Sequence, residues 1–63
     1  MRHFYVRVPR GQGQAVLDIA EEHDAVTVTL WPGHQDGEKI DIVSIQMENR
    51  SVGPMLSDLG SRG

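Results

Sequence analysis

From Arg2 to Val8 polar and apolar residues alternate strictly, with Phe4, Val6 and Val8 on one side and His3, Tyr5 and Arg7 on the other. A two-residue period is the signature of a half-buried strand, and Pro9, which has no N–H to donate, ends it. Past a Pro9-Arg10-Gly11-Gln12-Gly13 turn, Val16, Leu17, Ile19 and Ala20 fall at helical spacing while Asp18, Glu21 and Glu22 take the wet side, which predicts a helix over about 12–23. A second strand follows in which Val26, Val28 and Leu30 alternate with Thr27, Thr29 and Trp31. The stretch Pro32 to Gly37 is polar and carries one proline and two glycines, so it reads as a flexible loop, too long for a two-residue hairpin.

The third strand, Lys39 to Met47, is apolar on both sides: Val43, Ile45 and Met47 share one face, Ile40 and Ile42 the other. Such a strand belongs in the middle of a sheet, or carries a bulge near Ile42 that shifts the alternation. Ser51 then reads as the N-cap of a second helix with Val52, Met55, Leu56 and Leu59 at i, i+3, i+4 and i+7. On this reading Pro54 takes the third helical position, where a missing N–H breaks no bond; Gly60 stops the helix, and Ser61-Arg62-Gly63 fray.

The order is βαββα, an α+β two-layer sandwich. Two helices over one face of an antiparallel sheet give the split βαβ, ferredoxin-like arrangement, here lacking its final strand. The expectation is one truncated domain over 1–63, with strand 3 beside strand 1, strand 2 at one border, and the far flank of strand 1 without a neighbour. The inward set is Phe4, Val6, Val8, Val26, Val28, Leu30, Val43, Ile45 and Met47 against Val16, Ile19, Ala20, Val52, Met55, Leu56 and Leu59.

Composition narrows the function. A 63-residue chain buries only about 60% of the surface its unfolded form exposes, which favours partners. No cysteine is present, which removes disulfides and thiolate sites. The net charge is −3 with the six basic residues scattered, which argues against nucleic acid. No apolar run approaches the roughly 20 residues of a membrane span, so the chain itself reads as soluble and cytoplasmic.

The opening Met1-Arg2-x-Phe4-x-Val6-x-Val8-Pro9, the helix Gly11-x-Gly13-x-x-Val16-Leu17-Asp18-Ile19-Ala20 with His23-x-Ala25-Val26 behind it, and Asp41-Ile42-Val43 leading to Glu48-Asn49-Arg50-x-Val52 resemble the N-terminal soluble region of the domain of unknown function 389 family. The resemblance spans nearly the whole chain. It implies a small head domain preceding hydrophobic helices of a bacterial or archaeal cell-membrane protein, whose transmembrane region becomes one expected partner, and a final strand beyond Gly63. It brings no catalytic residues.

Candidate chemistry is sparse, and no enzyme, metal or cofactor is expected. Gly11 and Gly13 open a helix N-terminus where bare amides attract anions, with Arg10 alongside, but the third glycine of a dinucleotide turn and the Lys-Ser/Thr of a P-loop are absent. A tight structural turn is the simpler reading. His3, His23 and His34 lack paired metal-ligand spacing, and His23 suits a helix C-terminus. Asp18, Glu21, Glu22 and Asp24 read as a wet helix face; Ser44, Ser51 and Ser57 sit in no nucleophile motif. The suggestive surface is the outer sheet face, where Tyr5, Trp31, Ile40 and Ile42 would stand among Thr27, Thr29, Ser44 and Gln46. An apolar face rimmed by polar residues fits a protein contact, and a homodimer through this face or through the strand 1 edge is the expectation; an anion or small-ligand sensor at a dimer interface is the alternative.

Overall fold

The computed structural model describes residues 1–62, which form β1 (Arg2–Pro9), α1 (Gly13–Glu22), β2 (Thr27–Gln35), β3 (Glu38–Met47) and α2 (Asn49–Arg62). One three-stranded antiparallel sheet has the order β1-β3-β2. β1 and β2, joined through α1, therefore run parallel with β3 between them. The doubly apolar strand sits at the centre, the first of the two arrangements its pattern allows, and its register is continuous on both sides, from Arg2↔Met47 to Pro9↔Ile40 and from Thr27↔Gln46 to Gln35↔Glu38. No bulge is needed at Ile42: one face of β3 goes to the core and the other is half-buried on the outer sheet surface.

The expected Pro32–Gly37 loop is instead the end of β2 and a tight hairpin. Asp36 and Gly37 both have positive φ, 52° and 81°, the two left-handed central residues of a type I′ turn. Asp-Gly is the strongest short hairpin signal, and the proline and glycine before it masked its reading. Pro32 is accommodated because β2 is a border strand, where a missing donor need not interrupt the ladder. Gly33 leaves room for Ile42: a Cβ there would sit 2.7 Å from Ile42 Cδ1, and the end of that side chain would have to turn aside.

α1 ends in a paired-bond reversal built on Asp24. With His23 as the C-cap, the Asp24 N–H donates to the Glu21 carbonyl and the Ala25 N–H to the Ala20 carbonyl, both at 3.1 Å. This is the Schellman arrangement, with aspartate (φ 60°) where glycine is usual.

α2 differs most from expectation. It begins at Asn49, so Ser51 is its third residue and not its N-cap, and Gly60 lies inside it and not at its stop. Ser61 and Arg62 are helical, and Gly63 lies outside the described residues. Pro54 is the sixth helical residue, which deprives the Arg50 carbonyl of its usual donor. Gly53 makes this tolerable, since the residue before a proline is pushed from the helical region partly by its Cβ, and glycine has none.

Val16, Ile19, Ala20, Val43, Ile45, Met47 and Met55 are buried, with Phe4, Val6, Val8, Ala25, Val28, Leu30, Val52 and Leu59 packed around them. Two expected core residues are outside. Val26 is 59% exposed because it precedes β2 and contributes its N–H, bonded to the Gln46 carbonyl at 2.8 Å, while its side chain points away. Leu56 is 50% exposed because α2 packs chiefly on α1, and Met55, one residue or about 100° round the helix, takes the buried position.

Candidate functional site

Three places bring chemistry-bearing side chains together. The first is the Arg10–Gly13 turn. Its Gln12 N–H closes onto the Pro9 carbonyl at 3.0 Å and Gly11 takes φ 97°, which aims the Gly11 and Gly13 amides at a common point. That point holds the Asp41 carboxylate: Oδ2 accepts from Gly11 N–H at 2.8 Å and from Gly13 N–H at 3.0 Å. Arg10 Nε lies 3.2 Å from Asp41 Oδ1 and 3.1 Å from the Ile40 carbonyl, and Nη2 donates to the Gly33 carbonyl at 3.0 Å. The anion-attracting donors are thus used by an anion of the chain itself, on the strand that faces them. Gly13 has no room for another residue, since a Cβ would lie 2.7 Å from Asp41 Cβ and collide with Leu30.

Asp41 is the functional-looking group that sequence reasoning missed. It is 8% exposed and falls on the inward side of β3, in phase with Val43, Ile45 and Met47. A carboxylate in phase with a buried apolar row was the available signal, because a buried charge must find fixed donors.

The second place joins the helices. His23 Nε2 lies 3.1 Å from Asp58 Oδ2, both side chains about one quarter exposed, so His23 both caps α1 and ties it to α2. His3 Nε2 is 2.7 Å from Ser44 Oγ on the outer sheet face, and His34 is in β2 opposite Lys39. The three histidines are therefore in separate neighbourhoods, and no group of three metal-ligating side chains occurs among the described residues. Asp18, Glu21, Glu22 and Asp24 are exposed, with Asp18 accepting from Gln14 Nε2 at 2.9 Å.

The third place is the outer sheet face, and the register builds it row by row. Arg7, Ile42 and Trp31 form one row across β1, β3 and β2; Tyr5, Ser44 and Thr29 form the next; His3, Gln46 and Thr27 the third. Ser44 is small, so Tyr5 reaches over it diagonally to Trp31, and the rings meet edge to face at 6.1 Å between centroids and 86°. His3 stacks at a tilt on the other side of Tyr5, 5.4 Å away. Tyr5 is 54% exposed and Trp31 37%, whereas Ile40 and Ile42 are half-buried between them and the neighbouring strands. The four residues expected here are brought to one face, and Thr27 Oγ1 and Gln46 Oε1, 3.2 Å apart, supply a polar rim.

A groove of about 370 Å³ opens on the opposite side of the sheet. It is lined by Val6 and Val8 of β1, Ala15, Val16 and Ile19 of α1, and Leu59 of α2, with Gln12 at its mouth. No β2 or β3 side chain lines it, which places it at the β1 border.

Among the described residues no helix is long and apolar enough to cross a membrane. No protein-family model, no curated protein and no solved structure matches the chain.

Proposed function

We propose that this chain is a non-catalytic interaction domain of the ferredoxin-like, split βαβ type, a cytoplasmic regulatory head of a larger membrane protein, which dimerises through the outer face of its sheet. The observation that carries this reading is the Tyr5–Trp31 pair standing exposed on a polar-rimmed sheet face with Ile40 and Ile42 between the strands. Aromatic side chains of this kind anchor interfaces because each buries a large area with few rotatable bonds. The strand order β1-β3-β2 with two helices supports the ferredoxin-like assignment, and the likeness of the sequence to membrane-protein head domains supplies the context. The open flank of β1 is a second contact surface. An anion sensor at Arg10, Gly11 and Gly13 gains no support from donors that Asp41 already occupies.

Sedimentation velocity tests the reading. The parent chain is expected to dimerise, and Trp31→Ala and Ile42→Asp to shift it to monomer with an unchanged far-ultraviolet spectrum. A parent chain that stays monomeric at its solubility limit overturns the dimer.

A further inference from the structure

A two-fold dimer that brings two copies of the outer sheet face together has its axis in the plane of contact, because any other direction turns the faces apart. Stacked sheets of this kind keep their strand directions within about 30° of one another, which leaves two placements. With the axis across the strands, β1 lies over the partner's β1. With the axis along β3, β1 lies over the partner's β2.

The outward side chains distinguish the two. In the three rows of the face β1 presents Arg7, Tyr5 and His3, all large, and β2 presents Trp31, Thr29 and Thr27, two of them short. Arg7 is exposed and makes no ion pair among the described residues. Of the two carboxylates on the strands, Asp41 faces inward and Glu38 lies two rows beyond Trp31 at the hairpin tip, where solvent screens it from its own image. Placing β1 on β1 therefore sets large on large and puts both Arg7 charges on one border. Placing β1 on β2 sets Tyr5 and His3 over threonines and each Arg7 over an indole. The row Arg7, Ile42, Trp31 reads cation, aliphatic, aromatic, so its own reverse is its complement, and what fits it is a second copy of this chain.

We infer, building on the dimer proposed above, that two copies stack about a two-fold axis along β3, with Arg7 of each over the partner's Trp31. Arg7 sets the orientation of the pair, and the aromatic rings anchor it.

Arg7→Gln tests this by the sign of its effect. Over an indole it loses a cation–π contact at two symmetric places, and the dimer dissociation constant from sedimentation is expected to rise about tenfold. Beside its own image the same change relieves repulsion, so an unchanged or tighter dimer overturns the orientation. A second test uses the absence of cysteine. His3→Cys and Thr27→Cys are made as separate chains and treated with a bismaleimide that spans the roughly 10 Å between stacked sheets, each alone and then as an equal mixture. The mixture is expected to give more covalent dimer than either variant alone; an equal or smaller yield overturns the placement. Should a cysteine variant sediment as a monomer, Arg7→Gln alone decides. A parent dimer that is lost on Trp31→Ala but fails these tests refutes the orientation and leaves the outer-face dimer standing, whereas a monomeric parent chain refutes both.

Discussion

Replacing Asp41 by alanine should cost about 3–5 kcal/mol of folding stability, far more than a polar residue on a strand usually commands. Hydrogen bonds to a charged group contribute about 1.5–3 kcal/mol each, and a buried donor left without an acceptor costs its full desolvation. Gly13 is buried, so its N–H would be stranded; Gly11 is exposed, so water replaces the lost oxygen and its bond counts at the low end. Arg10 adds at most about 1 kcal/mol, because its side chain is 39% exposed and the pair is screened. A domain of this length has roughly 3–9 kcal/mol in total at about 0.05–0.15 kcal/mol per residue. The alanine variant should therefore lose about half or more of its stability, with a urea midpoint far below that of the parent chain. Asp41→Asn keeps an oxygen for one amide and should lose about 1–2 kcal/mol, which keeps the effect measurable. Urea melts read by circular dichroism and Trp31 fluorescence give both values, with the slope checking that the denatured states are alike. If alanine costs less than about 1 kcal/mol, water satisfies the α1 amides and the carboxylate is not what holds the turn to β3.

Two further perturbations test the second helix. Met55→Ala should cost about 2–5 kcal/mol as a large-to-small change at a fully buried site, and Leu56→Ala under about 0.5 kcal/mol at a half-exposed one; reversed magnitudes would rotate α2 by one residue. Gly60→Ala should stabilise by about 0.8–1 kcal/mol, since an added Cβ meets nothing within 4 Å, and a loss in thermal melts would show that the last turn is not helical.

The elements that periodicity specifies were legible before the structure: β1 and α1 each have one polar and one apolar side, and β3, apolar on both, read as central or bulged, of which its unbroken register selects the first. Punctuating residues misled where tertiary setting overrides them. Pro32 and Gly33 look like a loop, yet one is tolerated on a border strand and the other makes room for Ile42. In α2 the proline and two glycines work against the helix by several kcal/mol on intrinsic propensity, so its limits and its buried side are set by what α1 presents, which local sequence does not record. The outer-face residues were found because alternation names both faces at once. Asp41 escaped because its meaning lies in donors 28 and 30 residues away.

That separation bears on the order in which the molecule assembles. The β2–β3 hairpin closes through two residues, and such hairpins form in about 1–10 μs. β1 must instead find β3 across a segment that runs from Arg2 to Met47 at its widest, a closure that costs chain entropy before any ladder bond repays it. Asp41 rides on the early hairpin, while Gly11 and Gly13 arrive with the late strand. If the hairpin leads, the carboxylate stays solvated until the step that brings its donors to it, and burial of the charge and its pairing with the Gly11 and Gly13 amides become one event.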